Sequence, residues 1–113
     1  KAIERAKATP DDVTTLSFGL THRYLASWVD FDPAPVYLGL TQKVLVFAGD
    51  RDDNVPIESE QYLLSRFQAA GKDNYKLVVV PGASHTLIGA GVDHRKAVFP
   101  AIARFFATGD YPE

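Results

Sequence analysis

The stretch KVLVFAGDRDDNVP, Lys43 to Pro56, decides how this sequence folds. Val44-Leu45-Val46-Phe47-Ala48 is an unbroken apolar run, the pattern of a strand covered on both faces in a parallel sheet. Gly49 ends the run and a turn rich in Asp and Asn follows. From about Glu58 to Ala70, Tyr62, Leu63, Phe67 and Ala70 recur at helical spacing, with Gly71 placed to cap the end. Leu77-Val78-Val79-Val80 reads as a second buried strand, stopped by Pro81-Gly82. Strand, helix, strand at this spacing predicts a right-handed crossover joining two parallel strands, so that their carboxyl ends share one edge. A last helix is expected over roughly Arg95 to Ala107, patterned by Val98, Ile102, Phe105 and Phe106, with Pro100 near its first turn or kinking it. The class is α/β.

Working backwards from Lys43, the first forty residues have a different character. Thr9-Pro10-Asp11-Asp12 reads as a helix start, with a hydroxyl cap, Pro at the first helical position and carboxylates near the positive end of the dipole. Val13, Leu16, Leu20, Tyr24, Leu25 and Trp28 then fall on one helical stripe, which Gly19 interrupts. Asp30-Phe31-Asp32-Pro33-Ala34-Pro35 ends any helix, because each Pro biases its predecessor toward extended geometry, and a connector leads on to Leu40. The expected organisation is a helical, lid-like segment over 1–40 and a β-α-β-α part over 41–113. No internal repeat is evident.

Two parallel strands are too few for an independent core, since such sheets usually have about four to six strands. The chain also begins at Lys1 without an initiating Met, and it is expected to be a fragment or a processed product. Its exposed sheet edges predict self-association or domain swapping in isolation. With 12 basic and 14 acidic residues there is no field to draw it to nucleic acid or an anionic membrane. The absence of Cys removes disulfides, thiolate metal sites and a cysteine nucleophile. No apolar run approaches the roughly 20 residues of a membrane span, and Lys1-Ala2-Ile3-Glu4-Arg5 lacks the apolar core of a signal peptide. None of this identifies a compartment.

The residues suited to chemistry lie on the two loops that leave the strand ends, Gly49-Asp50-Arg51-Asp52-Asp53-Asn54-Val55-Pro56 and Pro81-Gly82-Ala83-Ser84-His85. In open α/β sheets, catalytic groups collect outside the carboxyl ends of strands. An Asp from the first loop that accepts a hydrogen bond from imidazole Nδ1–H fixes the tautomer and stabilises the imidazolium formed when Nε2 takes a proton. Asp50, Asp52 and Asp53 all compete for that role. His85 alone among the three histidines sits on a strand-end loop; His22 reads as a surface or lid contact and His94 as a residue that caps or solvates the last helix.

These loops resemble the end of the α/β-hydrolase superfamily. G-x-x-D-x-x-V-P after a buried strand, then about thirty residues later a strand followed by P-G-x-x-H, is similar to the acid turn and histidine loop of its serine members. Asp32-Pro33-Ala34-Pro35 and the helix end Gln68-Ala69-Ala70-Gly71-Lys72-Asp73-Asn74 resemble its esterase and peptidase-like branches. The resemblance, over roughly residues 30 to 107, implies Asp52 as triad acid, His85 as triad base and no cofactor. It implies a hydrolase of ester, thioester or amide bonds acting on a small molecule or peptide. In lidded hydrolases the segment before the acid strand covers the acyl site, which makes Tyr24, Trp28 and Phe31 candidates for substrate contact. The family's nucleophile stands upstream in a G-x-S-x-G elbow, and the nearest match here, Thr15-Leu16-Ser17-Phe18-Gly19, lacks the first glycine and a preceding buried strand. The chain is therefore expected to supply acid and histidine without the serine, to be inactive alone, and to need the remaining N-terminal part of the hydrolase as its partner.

Two rival readings of the first loop fare less well. D-x-D-x-N at Asp50, Asp52 and Asn54 opens like a calcium loop, but Val55 stands where the sharp turn needs Gly and Gln61 where a carboxylate is needed. A haloacid-dehalogenase-type phosphatase would use Asp50 and Asp52, yet it wants a downstream lysine loop and acidic pair, and it leaves His85 unexplained. The non-enzymatic alternative is a folded fragment that serves as an interaction module.

Overall fold

The computed structural model describes residues 1–113, which form two compact units, Lys1–Pro33 and Ala34–Glu113. The first contains helix α1 (Ala2–Ala8), a hairpin of β1 (Leu16–Ser17) and β2 (Leu20–Thr21), and helix α2 (His22–Trp28). The second contains α3 (Ala34–Leu38), β3 (Val44–Gly49), α4 (Ile57–Ala69), β4 (Tyr75–Val80), a hairpin of β5 (Ile88–Gly89) and β6 (Val92–Asp93), and α5 (Arg95–Thr108).

The first unit corrects the expectation of one long helix starting at Thr9. Thr9 instead closes α1, its N–H and hydroxyl both donating to the Arg5 carbonyl, and Pro10 keeps the chain from continuing as helix. Asp12 Oδ1 accepts from the N–H groups of Thr14 and Thr15 at 2.7 and 3.0 Å, which folds the segment into a side-chain-stabilised turn. Phe18 and Gly19 then take φ of 55° and 75°, the left-handed pair that a tight two-residue hairpin requires. Helix α2 begins only after Thr21, whose Oγ1 accepts from Tyr24 N–H at 3.2 Å. The three-and-four spacing of Val13, Leu16 and Leu20 thus loses to local turn chemistry, and all three are exposed. Ala6 and Leu25 are the buried apolar residues of this unit, and Lys7 Nζ pairs with Asp30 at 2.8 Å.

In the second unit β3 and β4 pair in parallel from Val44↔Tyr75 to Gly49↔Val80, so the two chains leave the sheet side by side. Side chains alternate between faces. Val44, Val46, Tyr75 and Leu77 pack in one cluster with Ala34, Leu38, Leu63 and Phe67 of α3 and α4. Phe47 and Val80 belong to the other, with Ala83, Leu87 and, from α5, Val98 and Ile102. Phe67, 1% exposed, stacks on Tyr75 with ring centres 4.8 Å apart, and burial of a side chain this size stabilises by roughly 2–3 kcal/mol.

Residues 34–40, grouped by their sequence with the helical segment, pack in this second unit, and α3 is a short helix where only a connector was expected. Lys72 Nζ donates to the carbonyls of Leu38 and Leu40, and Asn74 Nδ2 to those of Leu40 and Gln42, tying the connector to the start of β4. Helix α4 ends as predicted at Gly71, with φ of 67°: its N–H donates to the Gln68 carbonyl and that of Lys72 to Phe67, the paired bonds of a Schellman end.

A local likeness that sequence alone did not reveal joins the two units. Leu16–Arg23 and Ile88–Arg95 share Gly, His and Arg at equivalent places, three of eight positions. Both form a two-residue hairpin with positive φ at both turn residues, Phe18 and Gly19 or Ala90 and Gly91. In both the histidine N–H donates to a carbonyl seven residues back, His22 to Thr15 and His94 to Leu87.

Candidate active site

The two loops diverge from adjacent strand ends and are drawn together at once. Gly49 makes this approach: a Cβ there would collide with the carbonyl of Ala83, so only glycine fits. Beyond it, Arg51 N–H donates to the Ala83 carbonyl at 3.0 Å and Asp50 Oδ1 accepts from Gly82 N–H at 2.7 Å.

Asp52 is held from one side and used from the other. Its Oδ1 accepts the N–H groups of Asn54 and Val55, each at 2.8 Å. Its Oδ2 lies 2.9 Å from His85 Nδ1. The Val55 N–H above all, with His85 and Asn54 behind it, holds the carboxyl below the usual carboxylate range against the opposing effect of desolvation. An ionised Asp52 can only accept, so Nδ1 carries the proton and Nε2 keeps a lone pair. The imidazole is about half exposed (53%) while the carboxylate is 10% exposed. A cleft of about 190 Å³ opens at this pair, lined on its apolar side by Phe47, Val55 and Leu87. A larger cavity, about 660 Å³, lies between α5 and the C-terminal residues and is lined by none of these groups.

His22 belongs to a second Asp–His constellation in the first unit and is buried, 4% exposed, rather than the surface contact expected of it. Its Nδ1 lies 2.8 Å from Thr9 Oγ1 and 4.0 Å from Asp12 Oδ2, its Nε2 3.2 Å from Ser17 Oγ. Thr9 gives its only hydroxyl proton to the Arg5 carbonyl, so it must accept from Nδ1–H, and Nε2 then accepts from Ser17. Both ring nitrogens are satisfied by hydroxyls.

Comparison with protein families adds one match, to the sequence model of the prolyl oligopeptidase family over residues 20–109, most of the chain. The chain belongs to the prolyl oligopeptidase family. This is an α/β-hydrolase-fold family, and membership makes the chain a serine-hydrolase type, in line with the fold class and resemblance read from its sequence. Searches of curated proteins and of solved structures returned no match.

Within this family member, the three loop aspartates take separate paths. Asp50 turns to Gly82 and Asp52 to His85, so the two carboxylates do not converge as a phosphatase pair would; Asp53 is exposed. Tyr24, Trp28 and Phe31 are exposed on the first unit, where Tyr24 and Trp28 pack edge to face with centres 6.1 Å apart. His94 precedes α5 and accepts, through its carbonyl, the N–H groups of Ala97 and Val98, but its side chain makes no cap bond. The Asn54 and Val55 amides and the Gly49 approach were not singled out by sequence reasoning. The signal for the amides was present, since Asp two and three residues before free N–H groups is a common Asx turn.

Proposed function

We propose that this chain carries the acid, Asp52, and the base, His85, of a Ser-Asp-His triad that cleaves ester, thioester or amide bonds. The serine it serves stands in a segment outside these 113 residues. The observation that supports this most directly is the 2.9 Å contact between Asp52 Oδ2 and His85 Nδ1, with Nε2 left open beside a cleft.

The geometry suits one sequence of proton movements. His85 Nε2 accepts the serine proton as the serine oxygen attacks the carbonyl carbon, and Asp52 stabilises the imidazolium. The same proton passes to the departing alcohol, thiol or amine as the acyl bond breaks. Water then attacks the acyl-serine, giving its proton to Nε2, and collapse returns the proton to the serine and releases the acid. No metal or organic cofactor enters these steps. The exposed aromatic trio Tyr24, Trp28 and Phe31 offers an apolar surface suited to the apolar part of a peptide or small-molecule acyl donor.

A fluorophosphonate probe applied to the protein containing the serine and to the 113-residue chain tests the assignment. Labelling of the former only is expected, and His85→Ala should suppress it. Labelling of the short chain at Ser17, or full labelling of the longer protein after His85→Ala, would overturn the proposal.

A further inference from the structure

His85 is half exposed and its ring meets one partner, Asp52, so the ring's place depends on the backbone that delivers it. That backbone is the turn Pro81–Ser84: Ser84 is tied forward, its N–H donating to the Ile88 carbonyl at 3.0 Å, while on the Gly82 side the turn closes only through Ala83 N–H to the Val80 carbonyl at 3.3 Å. Its ties to the acid loop are Asp50 N–H to the Val80 carbonyl at 3.4 Å, Arg51 N–H to the Ala83 carbonyl at 3.0 Å, and Asp50 Oδ1 from Gly82 N–H at 2.7 Å. The last is the shortest, and charge on the acceptor strengthens it further. Gly82 has φ of 75°, and its carbonyl is pressed so close to Gly89 that a Cβ there would collide with it. The Gly82 peptide is therefore gripped on both sides, three residues before His85.

We infer that Asp50 is a positioning residue that holds the histidine loop in the place where His85 Nδ1 meets Asp52. Asp50 and Asp52, two apart in one turn, grip the same loop at two points, Gly82 and His85. The inference rests on the Asp52–His85 pairing proposed above.

The test reads the neutral imidazole of His85 by nitrogen NMR in the 113-residue chain, as the ratio of the Nδ1–H to the Nε2–H tautomer. Asp50→Ala is expected to lower that ratio several-fold with the rest of the spectrum unchanged, and Asp50→Asn, which keeps an oxygen acceptor for Gly82, to preserve it. Should alanine unfold the chain, Asp50→Ser, whose hydroxyl falls short of Gly82, takes its place with the same expected loss. An unchanged ratio in Asp50→Ala, or an equal loss in Asp50→Asn, overturns the positioning role. Asp52→Asn serves as the reference: if it lowers the ratio while Asp50→Ala does not, the latch fails and the pairing stands. If Asp52→Asn leaves the ratio unchanged, the pairing fails and the latch with it.

Discussion

His22 and His85 each face an aspartate, and they differ in what is left of the imidazole once its neighbours are satisfied. His22 is enclosed, with one nitrogen on Thr9 and the other on Ser17, and Asp12 stays 4.0 Å away while its other oxygen organises a turn. His85 gives Nδ1 to Asp52 and keeps Nε2 open to a cleft. The first arrangement uses both nitrogens to hold α1, the hairpin and α2 together; the second uses one and leaves the other open for the base role proposed for His85. A serine close to a histidine and an aspartate is therefore not enough to make a base. An open Nε2 and a carboxylate that reaches Nδ1 are needed too.

The largest expected effect separates the two histidines by turnover. In the protein with its serine, Asp52→Asn should lower kcat by about 10⁴-fold, as loss of the correct tautomer does in other triads, and His85→Ala at least as much. His22→Ala and Asp12→Asn should leave kcat near that of the parent when an aryl ester is the substrate; a comparable fall in either would erase the distinction.

Stability should move the opposite way. His22→Ala empties the site of a buried ring and removes its bonds to the Thr9 and Ser17 hydroxyls, and is expected to cost about 2 kcal/mol in urea denaturation, whereas His85→Ala, at an exposed ring, should stay within about 0.5 kcal/mol.

Acid sharpens the contrast between the aspartates. Hydrogen bonds led by Thr15 hold the Asp12 carboxyl far below the usual range, and those led by Val55 hold Asp52 below it. A folded value below the unfolded value, about 3.9, means that the stabilisation is present above that pH and is lost as pH falls through the lower folded value. Urea midpoints measured from neutral pH downward should therefore drop on the acid side. Asp12→Asn should remove part of that drop, and a larger part than Asp52→Asn does.

The smallest effect concerns the paired hairpins. Gly19→Ala and Gly91→Ala each place a Cβ in open space at φ of 75°, so the cost is backbone strain alone, about 1 kcal/mol each by thermal melting. A markedly unequal cost would show that the two hairpins are alike in form only.

Where apolar residues ran unbroken or recurred at helical spacing, sequence reading located the elements well: Val44–Gly49 and Tyr75–Val80 by the first signal, Ile57–Ala69 and Arg95–Thr108 by the second, lie close to their expected places. Continuous burial leaves little choice of element, and Gly71 terminates a helix through its own backbone freedom. Residues 9–21 were misread because Thr-Pro-Asp-Asp can open a helix or close one, and what decides is whether Asp12 caps a helix or binds the Thr14 and Thr15 amides. His22 was misread for a related reason, since its burial depends on Thr9 thirteen residues back and on Ser17 across a hairpin.

By itself the sequence determined the α/β class, the parallel strand pair and the two loops on which chemistry is expected, because hydrophobic periodicity and turn residues are local signals. The motif resemblance pointed to Asp52 and His85, but the contacts that each aspartate makes were decided by tertiary structure. Asp50, Asp52 and Asp53 are chemically equivalent in a turn, and only the approach of the second loop, with Gly49 against Ala83, sends Asp50 to Gly82 and Asp52 to His85.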